Sequence, residues 1–172
     1  MKMKLLNLRI FILVLMAGLI LQACTKEDED KPSDLIVGTW TATTPTIAIT
    51  VNSQTLVQYY TSEGLSTADA QAAAAMVNAM VAQGFTGTLQ VKSDGTYVAN
   101  FGGEADAGTW SLSEDGKTLT IDSNTDVAMT ISIVELTSSK LSLQTTETES
   151  ADLNDDGTEE TMTMNITLNF SK

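Results

Sequence analysis

The C-terminal segment alternates apolar and polar side chains over nine residues, a pattern that admits little besides a β-strand. Its apolar members are Met162, Met164, Ile166, Leu168 and Phe170, and the residues between them are Thr or Asn. A period of two places the apolar side chains on one buried face and the polar ones on a wet face. The same period recurs at residues 127–133 and 85–91. The sequence therefore predicts an all-β fold.

Short turn sequences separate the remaining predicted strands, which are placed at 96–101, 107–112, 118–122 and 140–146. The turns contain Asp94-Gly95, Asp115-Gly116 and Ser138-Ser139. Asp-Gly is a strong hairpin signal because glycine accepts a positive φ angle. Consecutive strands joined in this way predict an antiparallel meander. Within 127–136 the alternation changes phase at Val134, which predicts a β-bulge.

One segment departs from the strand pattern and predicts a helix. Ser66 is a suitable N-cap, Asp69 suits the first turn, and Gly84 stands where a C-cap is needed. The intervening residues are rich in alanine, and an apolar stripe at helical spacing consists of Met76, Val77, Met80 and Val81. The stripe either packs in the core, which the gap-filling property of methionine favours, or lines a ligand site. Residues 54–63 fit a short helix or a strand.

The N-terminal region has the pattern of an export signal. Lys2, Lys4 and Arg9 lie in front of an apolar run at 10–21, which is too short to span a bilayer stably. The run ends in Leu-Gln-Ala-Cys, which resembles a bacterial lipobox. The resemblance implies that residues 1–23 are a lipoprotein signal peptide and that Cys24 becomes an acylated N-terminus bearing chains of the palmitate type. The alternatives are a free core cysteine or a signal peptide that is cleaved elsewhere.

The expected mature chain is strongly acidic. It contains no Arg and no His, and its six lysines face 22 acidic residues, a net charge of 6 − 22 = −16. This charge argues against a nucleic-acid partner and against electrostatic docking to anionic lipid. The predicted membrane partner is therefore reached through the acyl chains on Cys24, since several chains give a durable anchor. Protein partners are not identified by the sequence.

The residues after Cys24 are almost entirely charged. Residues 25–31 resemble the acidic export tag of surface-exposed lipoproteins of some Gram-negative bacteria, although a charge run also fits an ordinary solvated tether. The export tag implies a lipid-anchored protein of the outer membrane that is exposed at the cell surface. We assign 24–34 to an acidic tether and 35–172 to one domain, which is large enough to bury a core.

Several short motifs in this domain occur in a recognisable order. They are residues 35–40 with Gly38-Thr39-Trp40, residues 93–97, residues 108–112 with Gly108-Thr109-Trp110, residues 115–121 and residues 135–141. In this order they resemble the lipocalin-like domain of bacterial outer-membrane lipoproteins. The resemblance implies a meandering barrel of about eight strands that holds one small ligand or is filled by side chains. The helix follows the first strand, as in fatty-acid-binding proteins, but the mature chain has no Arg to hold a carboxylate.

The expected function is binding. The two tryptophans are either core plugs at the barrel base, which we favour, or platforms for a ligand. The candidate ligand-binding residues are Met76, Met80 and Trp110. We expect a surface-tethered lipoprotein whose lipocalin-like barrel binds a small, apolar ligand. The alternative is a non-catalytic structural or interaction module of the cell envelope with a filled barrel. An interior of several hundred Å3 favours binding.

Catalysis is poorly supported by the residue types. Without His the chain has no His base, no Ser-His-Asp triad and no His metal ligand, and the single Cys is assigned to lipid. The composition leaves a glycosidase with two catalytic carboxylates open, since Asp and Glu are plentiful. However, the acidic residues cluster in predicted turns and tails and not on buried strand faces. We therefore expect no enzyme and assign no catalytic residue.

One acidic segment fits a metal loop. Residues 152–157 read Asp-Leu-Asn-Asp-Asp-Gly, which matches the first half of a calcium loop with oxygens at alternate positions. The candidate calcium ligands are Asp152, Asn154, Asp156, Thr158 and Glu160. Position twelve is Thr163 and not the bidentate Glu of an EF-hand, and the following residues predict a strand. The segment is either a calcium loop between two strands or an acidic hairpin tip without metal.

Overall fold

The computed structural model describes residues 31–172 of the chain. The predicted signal peptide at 1–23, the lipidation site Cys24 and most of the predicted tether lie outside the described residues. Within 31–172, no helix combines the length and apolar character needed to cross a membrane.

Three helices and ten strands make up the described part of the chain. The helices are α1 (Pro32–Ile36), α2 (Leu56–Ser62) and α3 (Thr67–Gly84). The strands are β1 (Gly38–Ala42), β2 (Thr46–Val51), β3 (Gln54–Thr55), β4 (Gly87–Val91), β5 (Thr96–Phe101), β6 (Glu104–Leu112), β7 (Thr118–Ser123), β8 (Met129–Leu136), β9 (Lys140–Ala151) and β10 (Glu160–Ser171). Helix α1 begins three residues before the predicted domain boundary at 35.

Eight of the strands form a closed antiparallel barrel, which confirms the predicted fold class. Strands β4 to β10 pair in chain order, as a meander requires. Strand β1 closes the ring because it pairs with β4, where Trp40 lies opposite Leu89, and with β10, where Ala42 lies opposite Phe170.

Two further strands extend the sheet beyond the barrel. Strand β2 pairs with the first half of β10, and β3 pairs with β2 across a turn in which Asn52 and Ser53 have positive φ angles. Helices α2 and α3 pack on this extension through a second apolar cluster. Its buried members are Ile49, Val51, Leu56, Tyr59 and Ala74. The helical insertion therefore follows β3, whereas we expected it after the first strand, because residues 46–55 form a hairpin of their own.

The helix signals of the sequence operate as expected. The Ser66 side chain caps α3 by accepting a hydrogen bond from the amide of Asp69 at 3.3 Å. The open segment at 54–63 resolves into β3 followed by α2. Here Thr55 and Gln58 form a capping box in which each side chain accepts from the backbone amide of the other.

The strand phases also follow the sequence pattern, except at Val127 and Met129, which are exposed. Leu89, Ile166 and Phe170 are buried, and the pairing of β8 with β9 shifts at the predicted bulge, which leaves Val134 as the extra residue. Val127 departs from the pattern because β8 begins only at Met129. Its side chain is 88% exposed.

One end of the barrel is sealed, and we call it the closed end: helix α1 with the turns at 93–95, 114–116 and 138–139. The buried Trp40 donates its indole N–H to the carbonyl of Ile36 at 2.7 Å. The ammonium of Lys172 lies 4.2 Å from the centroid of the Trp40 ring and donates to the Leu35 and Val37 carbonyls. This cation sits at the C-terminal end of α1, where a positive charge is favoured.

Candidate functional site

The opposite end of the barrel contains a cavity of about 830 Å3 that is open to solvent. We call it the open end: the start of β6, the β7–β8 loop and the end of α3. The cavity reaches into the barrel, and its lining comes from α3, strands β4 to β10 and the β7–β8 loop. Its volume falls in the range of small-molecule sites. The deepest lining residues, such as Leu89 and Leu143, belong to the buried core, so the space lies between that core and the rim.

Apolar side chains make up most of the cavity wall. The inward-facing members from the strands are Leu89, Ala99, Phe101, Ile121, Ile131, Leu143, Leu168 and Phe170. The rings of Phe101 and Phe170 pack at a tilt, with centroids 6.0 Å apart. Such a wall binds by burial of apolar surface and not by a dense set of hydrogen bonds.

One polar cluster interrupts this apolar wall. The Tyr97 hydroxyl donates to Oδ2 of Asp106 at 2.5 Å, and the Ser123 hydroxyl donates to Oδ1 of the same carboxylate at 2.7 Å. The three residues lie on the neighbouring strands β5, β6 and β7, and all three line the cavity. The strand pairing therefore brings together side chains that are far apart in sequence.

The cluster holds a negative charge inside the barrel. Hydrogen bonds from Tyr97 and Ser123 keep the pKa of the Asp106 carboxyl below its ordinary value. Burial and the bond to Asp106 raise the pKa of Tyr97 to about 12. At neutral pH Asp106 is therefore an anion and Tyr97 is a neutral donor.

The rim of the cavity combines exposed apolar side chains with two further carboxylates. Phe85, Val127 and Met129 line the rim, and Val127 and Met129 are exposed. Glu104 begins β6, and Asp126 lies in the β7–β8 loop. Exposed apolar residues at a cavity entrance are typical of binding sites.

The lysines are placed at the other end of the barrel. Lys92, Lys117 and Lys140 flank the three turns of the closed end, Lys31 precedes α1, and Lys172 lies on the Trp40 ring. The described lining contains three carboxylates and no lysine. Within residues 31–172, the cavity end is therefore acidic and the closed end carries the cations.

The structure places the predicted ligand residues away from this cavity. Met76 and Met80 project from the outer face of α3 and are 66% and 63% exposed, since the helix packs through Ala70, Ala74 and Val77. This position also overturns the expectation that the methionines pack in the core. The half-buried Trp110 packs beside the main core and donates its indole N–H to the Lys92 carbonyl at 2.9 Å. None of the three candidates lines the cavity.

The sequence did contain a signal for the residues that do line it. Asp106 has the same phase as Gly108, which pairs with the inward-facing Tyr97, so a carboxylate on a barrel-facing position was available from the strand pattern. We had expected all acids in turns and tails. Asp106 on a strand face and Glu160, only 5% exposed, correct that expectation.

Candidate ligand side chains of the predicted calcium loop accept hydrogen bonds from backbone amides of the same loop. The two carboxylate oxygens of Asp152 accept from the amides of Asp156 and Gly157, and the Asn154 side-chain oxygen also accepts from the Asp156 amide. Gly157 adopts a φ of +86°, which supplies the sharp turn that the motif predicts. The Asp156 carboxylate accepts from the Thr158 amide at 2.7 Å, which lowers its pKa.

The fifth candidate ligand is turned towards the backbone. Oε2 of Glu160 accepts from the amide of Leu153 at 2.8 Å, and the Asn154 amide group donates to Glu63 of the helical insertion at 3.2 Å. Within residues 31–172 no group of three or more His, Cys, Asp or Glu side chains is arranged to hold a metal ion. Calcium binding by a mixed set of Asp, Asn and backbone oxygens remains a prediction.

Comparisons with known proteins give limited information on this chain. It matches no family model and no curated protein. Among solved structures it is similar to a protein of Bacteroides vulgatus ATCC 8482 whose crystal structure is described as that of a DUF4847 family protein. The two chains share 14% identity with a TM-score of 0.39, over 80% of this chain and 93% of that one. The fold assignment therefore rests on the strand pairings of the chain itself.

Proposed function

We propose that this protein binds a small, largely apolar ligand inside its barrel and performs no chemistry on it. The observation that supports the proposal is the cavity of about 830 Å3, whose wall consists mostly of apolar side chains. The floor of the cavity is buried core, to which Leu89 and Leu143 belong, and the space above this floor opens towards the rim. The exposed Val127 and Met129 at the rim offer apolar surface along the entry path.

The polar cluster supports binding more than catalysis. General acid–base catalysis requires a group that titrates near the working pH. The pKa of Asp106 lies below its ordinary value and that of Tyr97 is about 12, so neither group exchanges a proton near neutrality. Hydrogen bonding and charge are the properties that this cluster offers to a ligand.

Native mass spectrometry of the protein purified from its own host tests the proposal. We expect a discrete small-molecule adduct that is lost when the protein is unfolded. A second assay is saturable binding of a neutral fluorescent probe, N-phenylnaphthylamine, to the stripped protein. The proposal is contradicted if the protein carries no adduct and also fails to bind the probe saturably.

We further propose that the protein is anchored to the outer membrane through acyl chains on Cys24, with its acidic tether at the cell surface. This proposal derives from the lipobox-like sequence and the charge run after it. The Cys24→Ser variant should lose acylation and no longer partition into a detergent phase. A variant that still partitions quantitatively after removal of the signal segment would refute the anchor. Protease treatment of intact cells then tests surface exposure.

The second candidate function is an interaction module of the cell envelope. The observation that favours it is the outer face of α3, where Met76 and Met80 are exposed and no charged residue occurs between 70 and 84. A photo-crosslinking residue at position 80 should then capture a discrete protein partner in the native envelope. The control position is Gln90, which is exposed on the barrel wall. Equal capture at both positions would count against this candidate.

A further inference from the structure

The charge of the cavity constrains the ligand more narrowly than its volume does. All three carboxylates of the lining, those of Glu104, Asp106 and Asp126, belong to the open end. Residues from the strand interiors, such as Leu143 and Ile131, provide an apolar wall. A ligand that uses the whole cavity therefore meets hydrocarbon along its body and negative charge at one end.

The carboxylate of Asp106 lacks a cation among the residues around the cavity. Its hydrogen bonds come from the hydroxyls of Tyr97 and Ser123 and from the amide of Ala107, and all three donors are neutral. The described lysines lie at the closed end and not in the lining. An anion without a counter-charge in a half-buried site attracts a cation and repels a second anion more strongly than it would in water.

We propose that the ligand of this cavity is an amphiphile with an apolar body and a cationic amine head that lies beside Asp106, between Glu104 and Asp126. The proposal rests on the proposed binding function and names the ligand class for the same site. An amine supplies both the charge that the three carboxylates favour and N–H donors for the remaining lone pairs of Asp106. A fatty acid would place its carboxylate against the same anions.

Three probes with the same chain length distinguish the contribution of the head group from that of the apolar chain. They are dodecylamine, dodecanol and dodecanoate. Each competes with N-phenylnaphthylamine on the purified protein at neutral pH and below its micelle concentration. We expect the amine to bind at least about tenfold more tightly than the alcohol, and the alcohol more tightly than the carboxylate. Equal or tighter binding of the alcohol or the carboxylate overturns the proposal. If the probe binds but none of the three displaces it, the proposal is overturned; if the probe itself fails to bind, the proposed binding function fails instead.

A matched pair of variants locates the preference. Asp106→Asn removes one negative charge inside the cavity, and Asp122→Asn removes one from the outer face of the adjacent strand β7, where Asp122 is exposed. The preference for the amine should fall about tenfold in Asp106→Asn and stay within about twofold in Asp122→Asn. An equal loss in both variants assigns the preference to net charge and overturns the proposal.

A second variant keeps the test decisive if Asp106→Asn does not fold. Glu104→Gln combined with Asp126→Asn changes only exposed rim side chains, so the barrel core is untouched. This double variant should weaken amine binding severalfold and leave dodecanol binding unchanged. If the double variant loses binding of both dodecylamine and dodecanol, or of neither, the placement of the head group at the open end is contradicted.

Discussion

The two ends of the barrel are built from the same strands, but one is packed with side chains and the other contains a cavity. At the closed end, helix α1 covers the barrel, Trp40 is fully buried and Lys172 lies on its ring. An added Cβ on Gly116, whose φ is +69°, would lie 2.6 Å from Pro32, so the helix sits directly on the turn. At the open end, a cavity of about 830 Å3 opens to solvent, and exposed apolar side chains form part of its rim.

The difference separates stability from function. At the closed end the side chains are closely packed and their polar groups are hydrogen-bonded, so a single substitution there is expected to lower the free energy of unfolding strongly. The open end forgoes those contacts, and its polar groups belong to Tyr97, Asp106 and Ser123, which face the cavity. The two ends should therefore respond differently to substitutions of the same kind.

The largest expected effect is at the closed end. Trp40→Ala removes a buried ring, its hydrogen bond to Ile36 and its contact with Lys172, and should lower the free energy of unfolding by about 3–5 kcal/mol. Phe101→Ala at the open end removes a half-buried ring that already borders empty space, and should lower it by about 2 kcal/mol. Urea unfolding measures both. An equal or larger loss for Phe101→Ala would reverse the comparison.

The next effect concerns the polar cluster of the open end. Tyr97→Phe removes the hydrogen bond to the Asp106 carboxylate and should lower the free energy of unfolding by about 2 kcal/mol at neutral pH. The pKa of Tyr97 is about 12 in the folded protein against an ordinary value of 10.0. Because the folded value is the higher one, this stabilisation is fully present below the unfolded pKa and is lost as pH rises through the folded pKa.

Urea unfolding of both proteins at neutral pH and at about pH 11 tests this linkage. The gap between wild type and Tyr97→Phe should narrow at the higher pH, while destabilisation that both proteins share cancels in the difference. A gap that is constant or grows with pH would show that the phenol proton is not held by this bond.

The sequence predicted most of the fold because alternation and turn chemistry are local signals. The strand phase at 162–170, the bulge at Val134 and the Ser66 cap are all confirmed, since each depends on neighbours in the chain. The packing of α3 on β2 could not be predicted from such local signals. Its stripe contains valines and methionines at similar spacing, and only the packed structure shows that Val77 faces inward while Met76 faces solvent.

The site was less predictable than the fold because its members come from different strands. Tyr97, Asp106 and Ser123 meet only through the pairing of β5, β6 and β7, and only Tyr97 belongs to one of the sequence motifs. Trp110 was assigned to the ligand from its residue type alone, whereas the register puts it at the Lys92 side of the barrel. Asp106 has the same inward phase as Gly108 on β6, so the strand register identifies it as a residue that faces the barrel interior.

The smallest expected effect is calcium binding by the β9–β10 loop, which does not line the cavity. We expect weak binding, with Kd of roughly 10⁻⁴–10⁻³ M because the bidentate twelfth ligand is missing. Calcium at about tenfold above Kd should then stabilise the folded protein by about 1.4 kcal/mol. Calorimetry and thermal unfolding measure both quantities.

Asp156→Asn should weaken calcium binding, and Asp155→Asn is the matched control. Asp155 lies in the same loop with a φ of +61°, a conformation that asparagine tolerates, and is not one of the candidate ligands. If calcium leaves the melting temperature unchanged at low salt, or if both variants weaken binding equally, the loop is an acidic turn only.

The central claim is that the open end of the barrel is a binding cavity, and filling the cavity tests it most directly. Ala99→Phe places a ring into the space from β5, and Val98→Phe places the same ring on the outer face of that strand, where Val98 is 40% exposed. We predict that Ala99→Phe weakens binding of N-phenylnaphthylamine by at least about tenfold, while Val98→Phe stays within about twofold of wild type. Equal binding by all three folded proteins would contradict the account.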